Sequence, residues 1–233
     1  MTPAGSMPSL KIFKDVVYRI IAPATDALIR WRVHPNAVTT VGFVVTLLAG
    51  FLYHLDHVRW AGFCVLLGGL LDIFDGQVAR LSGLASKFGS FYDSTLDRLS
   101  EIAVFIGVMS LYNEYGRQFA DVWMIYVIAL AMGGGLMVSY TRARAEALGF
   151  DCSVGFMQRA ERVALLGGGS LFFGLMWNGL VLRLVLILLA VSTVITAIQR
   201  IVWVYYEAAG VPLDDPGSRV RSSPPKNNVE KTR

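Results

Sequence analysis

Charge and cysteine are both scarce in this chain of 233 residues, and each scarcity excludes something. Charged residues make up 16%, against the ~25% typical of a soluble globular domain. Hydrophobic residues reach 55% and the mean hydropathy is +0.54. A soluble enzyme, a disordered chain and a fibrous protein are thereby excluded. The two cysteines, Cys64 in an apolar run and Cys152 in a short polar loop, have no metal-site spacing and make no disulfide framework. No basic helix or aromatic stacking platform accompanies the net charge of +4 and the pI near 9.2, so nucleic acid is not an expected partner. In a chain this apolar the basic residues are expected to flank membrane spans and to face anionic lipid. No apolar core with a small-residue cleavage site follows Lys11 and Lys14, so no cleaved signal peptide is expected. No internal repeat is visible.

What is present is six apolar runs, at about 37–55, 59–82, 88–112, 118–146, 157–178 and 180–207. They predict an all-α polytopic membrane protein with six transmembrane helices and no second soluble domain. Residues 8–33 mix apolar and charged positions at helical spacing, with Pro23 interrupting, and predict an amphipathic helix on the membrane surface. The expected organisation is an N-terminal segment over 1–34, a membrane domain over 35–207, and a polar, Pro/Ser-rich, disordered tail over 208–233. With the N-terminus inside, 17 Lys and Arg fall in cytoplasmic segments and only Arg59, Arg117 and Arg183 fall opposite. That asymmetry predicts both termini in the cytoplasm.

A charge at the centre of a membrane helix costs ~2.5 to 3.5 kcal/mol on insertion scales, so intramembrane carboxylates need a reason. Here they cluster. Asp72, Asp75, Gly76 and Ala79 share one stripe of the second span, and Gly89, Asp93, Asp97 and Glu101 follow at four-residue intervals on the third. A short connection makes these spans antiparallel neighbours, so the carboxylates converge near the cytoplasmic interface. Close carboxylates stay ionised together only if cations neutralise them. An all-oxygen set without His or Cys indicates Mg²⁺, Mn²⁺ or Ca²⁺, and a pair of such ions suits a phosphate ester. The blander alternative is that ion pairs with Arg80 and Arg98 simply hold the bundle together. Gly76, Ala79 and Gly89 either allow close helix packing or leave room for a flat ligand. The Gly133–Gly135 and Gly167–Gly169 runs, deep in apolar spans, read as packing sites.

The pattern Asp72-x2-Asp75-Gly76-x2-Ala79-Arg80-x8-Gly89-x3-Asp93-x3-Asp97 resembles, without departure, the signature of the CDP-alcohol phosphotransferase family of six-helix membrane enzymes. The resemblance covers about residues 35–207. It implies transfer of a phosphoalcohol group from a CDP-alcohol to a hydroxyl, with release of CMP. By the same resemblance Asp72, Asp75, Asp93 and Asp97 hold two divalent ions, Mg²⁺ or Mn²⁺, and Asp97 is the general base. Gly76, Ala79, Arg80 and Gly89 border the nucleotide, and the protein is expected as a homodimer. Asn36 and Thr39, after Pro35, resemble the Pro-Asn-x-x-Thr opening of the family's first helix, with a nucleotide-side role or plain helix capping as the two readings.

The acceptor is sought outside the signature. Arg142, Arg159 and Arg162 lie at helix ends on the same face of the membrane as the carboxylates, Arg200 sits in the sixth span, and such guanidinium groups suit the phosphate of an anionic acceptor, with positive-inside anchoring as the alternative for each. Arg144 and Arg159 read as positive-inside anchors. Asp93-Ser94-Thr95-Leu96-Asp97-Arg98, the stretch from Tyr140 to Glu146, the Arg159 to Arg162 stretch and the late Arg200 after Ile195-Thr196-Ala197 resemble the phosphatidylinositol phosphate and archaetidylinositol phosphate synthase branch, with Arg142 in place of a lysine. The resemblance implies CDP-diacylglycerol as donor and inositol phosphate as acceptor. Glycerol 3-phosphate, as in phosphatidylglycerophosphate synthesis, is the alternative. A prenyltransferase would space its aspartates differently, and a divalent-cation transporter would carry polar residues on to the far side. Glu101, one turn below Asp97, has no assigned role, with orienting a neighbour or pairing with an Arg as the two readings.

Overall fold

His34-Pro35-Asn36 opens a helix as its composition dictates. The His34 ring Nδ1 accepts from the Asn36 N–H at 3.2 Å, and Pro35 occupies the first turn, where its missing N–H leaves no bond unmade. In the computed structural model, which describes residues 22–113 and 120–210, every regular element is helical. After a helical segment over 22–30 (α1) come α2 (Pro35–His54), α3 (Val58–Leu81), α4 (Lys87–Leu111), α5 (Val122–Ala147), α6 (Arg159–Phe173), a short 3₁₀ turn (Met176–Gly179) and α7 (Leu180–Ala208). The rest of the expected surface helix, 8–21, and the tail from 211 lie outside the described residues.

Among the described residues, α2, α3, α5 and the stretch Met176–Ala208 are long and apolar enough to cross a membrane. The first half of α4 carries Asp93, Asp97, Arg98 and Glu101. With 15 residues, α6 measures about 22 Å, short of a ~30 Å hydrocarbon core. The fifth apolar run, expected to 178, breaks at Phe173. Gly174 turns to a φ of 53°, and Trp177 and Asn178 also take positive φ. Uniform apolarity hid that break from a hydropathy reading.

The helices α2, α3 and α4 pack on one another through α2, while α3 also lies against α6, and α5 against α7. Close approaches need glycine. A Cβ on Gly107 would collide with the Gly50 carbonyl of α2, and one on Gly62 would lie 2.5 Å from the Leu171 nitrogen of α6. Tyr53, fully buried, shares a 2.6 Å hydrogen bond with Ser170 and ties α2 to α6. Gly107→Ala is expected to destabilise the bundle by ~1 to 3 kcal/mol, because the opposing atom is backbone and cannot rotate away. The thermal midpoint of the detergent-solubilised protein checks this; an unchanged midpoint would show that α2 and α4 can separate without cost.

Candidate active site

The site sits where α3 ends and α4 begins. The Ser86 side chain caps α4 by accepting from the Gly89 N–H at 3.0 Å, which fixes the tight connection after Leu81 and brings the two carboxylate stripes face to face. Asp72 and Asp75 of α3 and Asp93 of α4 each offer a carboxylate oxygen within 4.8 Å of the others. Asp75 Oδ2 and Asp93 Oδ1 are buried and have no hydrogen-bond partner among the described residues. Buried carboxylate oxygens left unpaired in this way are costly. An all-oxygen, three-carboxylate set with orphaned atoms fits a hard divalent cation.

Asp97, one turn further along α4, is engaged differently. Its Oδ1 forms an ion pair with Arg159 Nη2 at 2.5 Å, while Nη1 of the same guanidinium donates to Asp72 Oδ2 at 2.6 Å. Arg98 Nη1 is 4.0 Å from Asp97 Oδ2 and bonds mainly its own helix, at the Ser94 carbonyl, 2.5 Å away. Arg159, read from the sequence as a membrane anchor, is thus the cation at the heart of the site. The Arg159 to Arg162 stretch marks it as part of a family pattern, but not as a partner of Asp72 and Asp97, which come from two other helices.

The nucleotide-side candidates lie around the same hollow. Thr39 of α2 lines it together with Asp72, Asp75 and Asp97. Asn36 Oδ1 lies 3.3 Å from where a Gly89 Cβ would stand, so Asn36 and Gly89 are brought together. A Cβ on Gly76 would meet only the Arg80 guanidinium, at ordinary contact distances of 3.6 Å and more, which leaves the α3 face beside Asp75 and Ala79 open.

The acceptor candidates divide. Arg142 is exposed and pairs with Glu146 one turn on, at 2.7 Å. Arg200 is buried, with Nε donating to the Val154 carbonyl at 2.9 Å and Nη1 to the Val138 carbonyl. Arg162 is 4% exposed; its Nε and Nη2 donate to both oxygens of Glu101, at 2.8 and 2.9 Å, and its Nη1 donates to the Met157 carbonyl. Arg200 bonds the Val138 carbonyl and Arg162 lies beside Gly135, so both buried guanidinium groups border the stretch of α5 that leads to Arg142. In the loop beside them Cys152 is fully buried, and burial pushes its thiol up, which suits an inert side chain.

The family profile described as CDP-alcohol phosphatidyltransferase matches residues 32–198, a stretch that holds all four aspartates, Arg142, Arg159 and Arg162. The chain belongs to the CDP-alcohol phosphatidyltransferase family. It is accordingly a transferase, and the apolar helices are those of a membrane protein. It is 35% identical over 196 residues to the archaetidylinositol phosphate synthase of Methanothermobacter thermautotrophicus, covering 84% of this chain and 94% of that one. The phosphatidylinositol phosphate synthase of Streptomyces avermitilis is 35% identical over 199 residues, with 82% and 80% covered. Among solved structures, the phosphatidylinositol phosphate synthase of Mycobacterium tuberculosis with CDP-DAG bound has a TM-score of 0.72 at 29% identity, covering 80% of this chain and 94% of that one. The same enzyme in complex with manganese and citrate gives a TM-score of 0.71.

Proposed function

We propose that this transferase is a phospholipid synthase that moves a phosphatidyl group from CDP-diacylglycerol to a hydroxyl of inositol phosphate and releases CMP. The observation that carries the reading is the juxtaposition of a three-carboxylate cluster, Asp72, Asp75 and Asp93, with a separate carboxylate, Asp97, paired with the Arg159 guanidinium. In the reaction the acceptor oxygen forms a bond to the lipid-side phosphorus, the bond from that phosphorus to the bridging oxygen breaks, and CMP leaves with that oxygen. The hydroxyl proton goes to Asp97. Arg159 orients the Asp97 carboxylate for this transfer. Asp72, Asp75 and Asp93 would hold the divalent ions, two of Mg²⁺ or Mn²⁺, which when bound neutralise the pyrophosphate and the leaving CMP. Gly76, Ala79, Arg80 and Gly89 border the cytidine, with Asn36 and Thr39 on its α2 side.

The six-span reading, with α4 and α6 completing the set in company with their neighbours, puts the site on the cytoplasmic side by the distribution of Lys and Arg. There lipid tails enter from the bilayer while a soluble phosphorylated polyol arrives from the cytoplasm. A homodimer is the assembly that the family resemblance favours. For the acceptor phosphate, Arg142 is the accessible group and Arg200 adds charge behind it. Arg142→Ala is expected to raise the acceptor KM about tenfold with kcat little changed, as the loss of one charge-assisted contact predicts. Steady-state CMP release at varied inositol phosphate checks it. An unchanged KM would move the phosphate away from Arg142.

A further inference from the structure

Arg162 and Glu101 stand one rung below the pair that the reaction uses. Glu101 follows Asp97 by four residues on α4, and Arg162 follows Arg159 by three on α6, so each helix presents its two charges on one face. Two ion pairs result, Asp97 with Arg159 and Glu101 with Arg162, and both join α4 to α6. Those two helices pack chiefly on other elements. Between them lies a small cavity of about 50 Å³ bounded by both pairs and, on its apolar side, by Val104, Phe105 and Leu166. Side-chain charge, rather than close backbone packing, is therefore the direct link between α6 and α4.

The lower rung is built to hold still. Glu101 meets Arg162 through both oxygens, the third N–H group of Arg162 closes on the Met157 carbonyl just before α6 begins, and the two side chains are 13% and 4% exposed. Helix α5 presses on it: a Cβ on Gly135 would lie 2.5 Å from Glu101 Oε1 and 3.3 Å from Arg162 Nε. We infer that Glu101, Arg162 and Gly135 form a positioning device that sets the start of α6, and through it Arg159, against Asp72 and Asp97. This rests on the phosphatidyltransferase reading of the site. It also moves Arg162 from the acceptor's partners to the site's supports, since each of its three nitrogens donates to the protein and its side chain is 4% exposed. Misplacing a reacting group by about 1 Å costs roughly 10²-fold in rate, which is the scale on which such a support acts.

The test uses the full chain in detergent with CDP-diacylglycerol, inositol phosphate and Mn²⁺. Glu101→Gln, which keeps the shape and removes the charge, is expected to lower kcat by about 10²-fold while the acceptor KM stays within about threefold. Arg162→Lys is expected to recover part of that loss relative to Arg162→Gln. Gly135→Ala, which displaces Glu101 without touching substrate, is expected to reproduce the kcat defect and serves if Glu101→Gln fails to fold. A second readout is independent of the substrate: spin labels at Thr95 and Ala160, both exposed, with Cys64 and Cys152 buried. Their distance distribution is expected to be narrow in the parent and broad in Glu101→Gln. An unchanged distribution together with an unchanged kcat would overturn the inference, as would an Arg162→Lys variant whose acceptor KM rises tenfold at intact kcat. If the parent releases no CMP with inositol phosphate, the substrate reading falls and the label distances alone decide the positioning role.

Discussion

Asp97→Asn is expected to lower kcat by about 10² to 10⁴-fold, the range general-base catalysis contributes, while the apparent affinity for CDP-diacylglycerol changes little. The amide keeps the volume of the carboxylate and can still accept from Arg159, so the helix ends should not move. What it loses is the capacity to take a proton from the acceptor hydroxyl. Asp97 stands apart from the cluster of Asp72, Asp75 and Asp93 and is oriented by Arg159 Nη2 at 2.5 Å, an arrangement that suits a proton acceptor better than a fourth ligand. Single-turnover CMP release measures the chemical step directly. Activity retained within a few-fold would remove Asp97 from the proton-transfer role and leave it a structural partner of Arg159.

The second large effect is expected at Asp75. It is 5% exposed, and one of its oxygens finds no partner among the described residues. Such an atom is tolerable when a cation completes it. Asp75→Asn is therefore expected to reduce CMP release at least about 10²-fold and to weaken Mn²⁺ binding, read by electron paramagnetic resonance on the purified protein. Chelation of the parent protein should abolish activity, and added Mg²⁺ or Mn²⁺ should restore it. Because neutralising one of several crowded carboxylates also relieves repulsion, the variant should be no less heat-stable than the parent in metal-free buffer. Full Mn²⁺ affinity in Asp75→Asn would contradict the ligand assignment.

The carboxylates were legible because helical periodicity alone puts them on facing stripes. Asp72 and Asp75 share a side of α3, Asp93 and Asp97 a side of α4, and five residues of connection leave the helices no alternative to lying antiparallel. The arginines were not legible in the same way. Arg159, Arg162 and Arg200 each sit near a helix end where positive charge is expected for orientation alone. Which of them enters the site depends on how α6 and α7 pack against α4, a long-range property that no local pattern carries. Glu101 could be expected to orient a neighbour or to pair with an Arg, but which Arg was hidden because the partner, Arg162, lies 61 residues away. The fifth apolar run hides the end of α6 for a related reason: Gly174 ends the helix while Leu175 and Met176 keep the run apolar up to Trp177 and Asn178. Likewise, the Gly133–Gly135 run reads as packing from composition, and only the fold shows that its last member borders an ion pair.

The most direct measurement is CMP release by the purified full chain with CDP-diacylglycerol and Mg²⁺ or Mn²⁺, offered inositol 1-phosphate, glycerol 3-phosphate, free inositol and serine in turn, with the lipid product weighed by mass spectrometry. The account predicts metal-dependent turnover with inositol 1-phosphate and a product heavier than phosphatidylinositol by one phosphate group. Turnover with glycerol 3-phosphate or an unphosphorylated acceptor in its place would contradict the account of the acceptor.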